Sequence, residues 1–361
     1  MRMFCQLMLI GSVLFGCKTG NSNLSSTDPL SSSGKTAKEL WAEHVKFETD
    51  GQKIQAACIP RFSPASTKVK RRGMVMFMHG FTACPQQYLA MAPLLNAKGY
   101  DVYLPLNPGH GREPFDGPRG KKDNHQTLPS TEHKNEYKRD KDENIRQRFF
   151  VDSMNAIARA ETGEKILAGL SGGASYATTA VQADPDLWNR LLLYAPYYKN
   201  PGLSAVGSAV IDQIMPGFVD DWGDECRANR FPGGGRGGLC ALTIGAVRAM
   251  VNFGVNAAQR IATIKIPVQF VGVEADPTAD NGAIHKAYLQ IADHARMCLY
   301  PKGVPHSLLN PKADAPKLDP YWVPAIEADS VAYLTEGKWF TASDQVASKN
   351  DYNLPICRTK L

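Results

Sequence analysis

Short apolar segments alternate with segments of helical periodicity from about Arg72 to Tyr300. The apolar segments are nearly continuous, which is typical of strands buried on both faces of a parallel sheet. In chain order they read RGMVMFMHG, DVYLPLN, KILAGL, RLLLYAP, IPVQFVGVEAD and ARMCLYPK. Such alternation indicates βαβ units, so the sequence predicts an α/β fold with a mainly parallel sheet flanked by helices.

Two stretches interrupt this alternation. Gly111–Glu143 is long and carries charges of both signs, which predicts a surface insertion. The stretch at about 200–261 contains apolar helical pieces between two predicted strands. Ligands bind outside the carboxyl ends of parallel strands, so we expect this second stretch to form a helical cap there. The alternative is a set of additional core helices. The α/β domain would span residues 39–361 with this stretch included.

Composition excludes few classes of protein. The chain has 361 residues, 43% of them hydrophobic and 21% charged, which is ordinary for a globular protein. A net charge of +6 spread over this length does not indicate a nucleic-acid partner.

The N-terminal residues predict that the protein is exported, and we do not assign them to the folded domain. Arg2 precedes an apolar run that is too short to span a membrane, as expected of a signal peptide over residues 1–16. The run ends in Leu-Phe-Gly-Cys, which resembles a bacterial lipoprotein processing site and predicts lipidation of Cys17. Residues 17–38 would then be a flexible Ser/Gly-rich tether to the cell envelope, at the periplasmic side of the outer membrane. The alternative is an ordinary signal peptide and a secreted protein.

Six cysteines follow Cys17, and an even number in an exported protein favours disulfides. Cys226 and Cys240 flank the glycine-rich loop FPGGGRGG, which favours their pairing among the 15 possible sets. The spacing of Cys and His residues supports no metal site. The loop itself lacks a preceding strand and a following Gly-Lys-Ser/Thr, so we expect a plain flexible loop rather than a phosphate site.

The segment GLSGG places Ser171 between the predicted strand KILAGL and the predicted helix GASYATTAVQA. A sharp strand-to-helix turn of this kind, the nucleophile elbow, presents a serine hydroxyl for catalysis. Gly169 and Gly173 flank the serine at positions where side chains would clash. The start of the helix directs N–H groups toward developing negative charge. We therefore predict that Ser171 is a nucleophile.

A serine needs a base, and the base needs an orienting acid. His306 lies on a loop after the last predicted strand, and Asp276 lies at the carboxyl end of the strand before it. The chain order Ser, Asp, His is that of α/β-hydrolase triads. Asp280 and Glu274 are the alternative acids, although Asp280 is better placed to cap the following helix.

A tetrahedral intermediate requires two N–H donors for its oxyanion. One would come from Gly172, directly after the nucleophile, and the other from Phe81 in the segment MHGFTACPQQY. His79, two residues before Phe81, is expected to support this loop rather than to act as a base.

The segments MVMFMHGFTACPQQY, GLSGGAS, VGVEADPTAD and KGVPHS together resemble the α/β-hydrolase superfamily, in particular its carboxylesterase and monoacylglycerol-lipase-like branch. The resemblance covers about Arg72 to Leu309. It implies an HGF-type loop whose Phe81 N–H, with that of Gly172, binds the oxyanion. The segment NPGHGRE, with His110, resembles a family loop near the substrate mouth, and we assign it no chemistry.

These features predict a serine hydrolase that cleaves acyl or lipid esters and needs no cofactor or metal. Its partners would be a small-molecule or lipid ester and, through the N-terminal lipid, a membrane surface. The alternatives are a peptidase or acyltransferase on the same triad, and a catalytically inactive binding protein of the envelope.

Overall fold

The computed structural model describes residues 34–49, 54–111, 145–199, 201, 219–221, 241–309, 322–341 and 356–358. Its strands are β1 (Arg61–Ser63), β2 (Gly73–Met78), β3 (Tyr100–Leu104), β4 (Glu164–Leu170), β5 (Arg190–Tyr194), β6 (Val219–Asp221), β7 (Ala241–Thr243), β8 (Val268–Val273), β9 (Ala295–Tyr300) and β10 (Ile356–Arg358). Its α-helices are α1 (Ala37–Thr49), α2 (Met91–Asn96), α3 (Ile145–Ala160), α4 (Gly172–Ala183), α5 (Ile244–Gln259), α6 (Asn281–Leu289) and α7 (Val323–Glu336).

An eight-stranded sheet in the order β1-β3-β2-β4-β5-β8-β9-β10 organises the fold. The six inner strands are parallel, whereas β1 and β10 pair antiparallel at the two edges. The chain runs from β2 outward to β3 and then returns to the other side of β2 with β4. The carboxyl ends of β2 and β4 therefore flank a topological switch point, where α/β sheets bind ligands.

All six predicted strands are confirmed as β2, β3, β4, β5, β8 and β9. Every residue of β2 and β8 is buried, which explains why their sequences are continuous apolar runs. The predicted helices between them are confirmed as α2, α3, α4 and α6. Gly99 and Gly163 end two of these helical segments with φ values of +90° and +81°, which glycine adopts readily.

The segment predicted as a cap contains α5. The part of this helix from Met250 onward packs in the main core. Met250, Val251 and Ala257 are buried there. Gln182 Nε2 of α4 donates a hydrogen bond of 2.7 Å to the Ala257 carbonyl. This end of α5 therefore packs on the main core. Residues 202–218 and 222–240 lie outside the described residues, so the cap remains a prediction for the segment.

A short antiparallel pair of strands lies within the segment predicted as a cap. Asp220 and Asp221 belong to its first strand, β6, which pairs with β7. The predicted surface insertion lies outside the described residues beyond Gly111.

The cysteines pair in a way that their spacing did not indicate. Cys58 and Cys84 form a disulfide with a Cα–Cα distance of 4.8 Å, and both are fully buried beside Leu106. Cys298 is also disulfide-bonded, and the register of β9 and β10 places Cys357 opposite it. The predicted pair Cys226–Cys240 lies outside the described residues.

The predicted signal peptide, Cys17 and nearly all of the tether also lie outside the described residues. Among the helices that are described, none combines the length and apolar character needed to cross a bilayer.

Candidate active site

Ser171 lies at the turn between the end of β4 and the start of α4. Its φ of +54° and ψ of −120° are unfavourable for a residue with a side chain. The neighbouring strand holds this conformation, because the Ser171 N–H donates to the Tyr194 carbonyl at 2.8 Å and the Ser171 carbonyl accepts from Tyr197 N at 3.1 Å. A strained residue that its surroundings fix in this way is typical of an active site.

The flanking glycines permit a very close backbone approach. A Cβ atom on Gly173 would lie 2.0 Å from the Met78 carbonyl oxygen and 2.3 Å from that of His79. A Cβ atom on Gly169 would lie 2.4 Å from the Gly173 carbonyl oxygen. The turn therefore packs its backbone directly against the end of β2, and only glycine fits at these two positions.

His306 and Asp276 form a hydrogen-bonded pair. His306 Nδ1 lies 2.7 Å from Asp276 Oδ2, and the Asp276 side chain is fully buried. Asp276 Oδ1 accepts from the N–H groups of Thr278 and Ala279 at 2.7 and 3.1 Å. Burial opposes ionisation of Asp276, but the hydrogen bond and charge of His306, with these two N–H groups, outweigh it and lower its pKa. Asp276 is therefore a carboxylate that orients His306.

His306 retains an unused nitrogen. Its Nδ1 donates to Asp276, which leaves the Nε2 lone pair able to accept a proton. Nε2 is buried and has no hydrogen-bond partner within the described parts of the chain. The contact between Nε2 and the Ser171 hydroxyl that proton transfer requires is thus not formed in this structure. Such contacts commonly tighten only when a substrate binds.

Hydrogen bonds in the structure distinguish Asp276 from the alternative acids. Asp280 caps α6 by accepting from Ala283 N at 3.0 Å, as predicted, and forms an ion pair with Lys199 at 3.2 Å. Of the three candidate acids, only Asp276 contacts His306 in the described structure.

The two predicted oxyanion donors lie side by side. A Cβ atom on Gly172 would be 3.4 Å from the Phe81 backbone nitrogen and 3.0 Å from Phe81 Cβ. Among the described residues, neither the Phe81 nor the Gly172 N–H donates a hydrogen bond to the protein. Both remain available to a substrate oxygen.

His79 binds protein groups through both ring nitrogens. Nε2 accepts from Asn107 N at 2.9 Å, and Nδ1 lies 2.9 Å from the Gly80 carbonyl oxygen. Burial holds the pKa of His79 well below its usual value. This geometry fits a supporting role in the oxyanion loop. No chemistry was predicted for His110, yet its Nε2 accepts a hydrogen bond of 3.1 Å from Thr82 N, in the loop that carries Phe81.

Comparisons with known proteins agree with this architecture. The family profile described as "Serine aminopeptidase, S33" matches residues 69–222. A monoacylglycerol lipase from Paleococcus ferrophilus superposes with a TM-score of 0.56 at 17% identity, covering 77% of this chain and 99% of the lipase. A soluble variant of monoglyceride lipase from Saccharomyces cerevisiae superposes with a TM-score of 0.55 at 15% identity, covering 76% and 90% of the two chains. No curated protein sequence matches the chain.

The chain therefore has the α/β-hydrolase fold that the sequence predicted, and the resemblance to monoacylglycerol-lipase-like hydrolases is confirmed. At these identities the superpositions establish the fold. The chemistry has to be argued from the residues of this chain.

We expect Gly173→Ala to destabilise the protein by about 3 kcal/mol or more, because the new methyl group would overlap two backbone carbonyls that cannot move without breaking β2. Urea unfolding would measure the change. Gly282→Ala is the matched control in α6, since its Cβ would meet only the Asp280 side chain, at 3.1 Å. The control should change stability by less than about 1 kcal/mol. Equal stability of the two variants would contradict the close approach at the turn.

Proposed function

We propose that the protein is a serine hydrolase that cleaves carboxylic esters through an acyl-enzyme intermediate. One observation carries the proposal: a strained, nearly buried Ser171 and a hydrogen-bonded Asp276–His306 pair follow parallel strands of one sheet. Strands β4, β5, β8 and β9 are neighbours in that order, so their carboxyl ends share one edge. We infer that nucleophile, base and orienting acid come together at this edge.

Acylation follows from these roles. Ser171 Oγ attacks the ester carbonyl carbon while His306 Nε2 takes the hydroxyl proton. Asp276 stabilises the resulting imidazolium and holds its orientation. The tetrahedral intermediate then breaks its bond to the alcohol oxygen, which receives the proton from His306. Water, activated by the same histidine, releases the acid and restores the Ser171 hydroxyl.

The oxyanion of each tetrahedral intermediate would lie between the N–H groups of Phe81 and Gly172. Each such donor stabilises the transition state by roughly 3 kcal/mol, because charge develops on the oxygen only there. The N-terminus of α4 adds a favourable dipole at the same place.

Apolar groups around the site favour an acyl or lipid ester as substrate. Met250 Sδ would lie 3.1 Å from a Cβ on Gly172, and Phe81 borders the same glycine. These side chains would contact an apolar acyl chain bound to Ser171. The structural relatives described above as lipases support the same substrate class.

A peptidase is the second candidate, favoured by the aminopeptidase description of the matching profile. Its amine leaving group would also take a proton from His306. A free α-amino group requires an acidic partner, whereas the described side chains nearest to a Cβ on Gly172 are those of Phe81 and Met250. Hydrolysis rates for a matched ester and amide with the same acyl group would separate the two candidates.

Ser171→Ala should abolish both labelling by a fluorophosphonate probe and turnover of nitrophenyl esters, because the variant lacks the attacking oxygen. Ester hydrolysis should fall by at least about 10⁴-fold without loss of the folded state. Ser66→Ala, in the loop after β1, is the matched control and should be labelled like the wild type. Undiminished labelling or turnover in the Ser171 variant would refute the assignment.

The proposal also places the protein on the bacterial envelope through a lipid on Cys17, on the basis of the sequence pattern Leu14–Cys17. Mass spectrometry of the mature N-terminus should find an acylated Cys17, and Cys17→Ala should release the enzyme from the membrane fraction. An unmodified N-terminus at another position would overturn this part of the proposal and leave the catalytic assignment untouched.

A further inference from the structure

Two histidines form hydrogen bonds that join the loop after β2 to the loop after β3. Asn107 N, after β3, donates to Nε2 of His79 at 2.9 Å. In return Thr82 N, after β2, donates to Nε2 of His110 at 3.1 Å. The two rings meet edge to face with centroids 5.1 Å apart. We call these four residues the histidine clasp.

Both histidines of the clasp must be neutral. A backbone N–H can only donate, so each Nε2 is unprotonated and each ring carries its proton on Nδ1. Those protons have acceptors, because Nδ1 of His79 lies 2.9 Å from the Gly80 carbonyl oxygen and Nδ1 of His110 lies 3.1 Å from that of Pro108. With both rings buried, the clasp is a rigid contact whose two backbone hydrogen bonds are shielded from water.

The backbone of Thr82 has a strained conformation, which a hydrogen bond such as that to His110 helps to maintain. Its φ of +75° is unfavourable for a β-branched residue. Ala83 N donates to the Gly80 carbonyl at 3.0 Å, so Thr82 occupies the third position of a tight turn, where a positive φ favours glycine. The bond to His110 fixes the Thr82 amide and with it the peptide that joins Thr82 to Phe81.

The Cys58–Cys84 disulfide lies against both loops of the histidine clasp. Cys84 lies two residues after Thr82 and is bonded to Cys58. Gly111 directly follows His110, and a Cβ there would lie 2.3 Å from Cys58 Cβ. Both loops are thus packed against the same disulfide, which leaves the Thr82–His110 contact little room to shift.

We propose that His110 is a positioning residue for the oxyanion site. By holding Thr82, it keeps the Phe81 N–H beside Gly172, where the oxyanion forms. This inference rests on the proposed ester hydrolysis. The N–H groups act mainly on the transition state, so displacing one lowers kcat far more than it changes KM.

The test compares His110→Gln with His110→Met. The two side chains have similar length, but only the glutamine oxygen can accept the Thr82 N–H. Burst titration with the fluorophosphonate probe counts active sites, so kcat refers to folded enzyme alone. His294→Ala is the matched control, because His294 contacts the Ile264 carbonyl far along the chain from the clasp.

We expect the methionine variant to lose about 10- to 100-fold in kcat with KM changed less than about twofold, and the glutamine variant to recover most of the loss. The inhibition constant of a trifluoromethyl ketone, which forms an oxyanion on the serine, should rise by the same factor as kcat/KM falls. The His294 variant should match the wild type in both measurements.

Equal kcat in the two His110 variants would overturn the inference, as would a loss confined to KM or to thermal stability. Absence of turnover in the wild-type protein is a different result, since it would overturn the proposed function itself and this inference with it.

Discussion

The close backbone contact between the Ser171 turn and the end of β2 is the constraint on which the site depends. Gly173 approaches the carbonyls of Met78 and His79 so closely that no side chain fits between them. This contact fixes the start of α4 against the loop that carries Phe81. The strained serine, the helix N-terminus and the Phe81 N–H therefore lie close together because two strands are neighbours in the sheet.

A balance of electrostatic effects determines the charge of Asp276 in the Asp276–His306 pair. Asp276 is completely desolvated at its side chain, which by itself would favour the neutral acid. Two backbone N–H groups and His306 reverse that preference and keep the group ionised. A carboxylate that is held in this way can fix the tautomer of His306 and leave Nε2 able to accept a proton, as the proposed function requires.

Much of this arrangement can be predicted from sequence because it lies in local patterns. Continuous apolar runs identified the six inner strands, and the position of Ser171 between a strand and a helix identified the turn. Asp276 and His306 could be placed because they follow consecutive strands in the order that triads require. Asp280 was recognised as a helix cap from its position before α6.

The features that sequence did not reveal depend on contacts between distant segments. The His110–Thr82 hydrogen bond joins two loops whose approach follows from the pairing of β2 with β3, and the Cys58–Cys84 pair requires their joint geometry. The C-terminal part of α5 is apolar, but its hydrogen-bonded contact with α4 could not be read from its own sequence.

The most direct test of the catalytic assignment is a crystal structure of the protein after reaction with a trifluoromethyl ketone. We predict a covalent bond to Ser171 Oγ and an oxyanion about 2.7–3.1 Å from both the Phe81 and Gly172 nitrogens. We also predict that His306 Nε2 lies within about 3.2 Å of Ser171 Oγ or of the oxygen derived from the inhibitor. An inhibitor bound to another residue, or an oxyanion directed away from both N–H groups, would contradict the catalytic assignment.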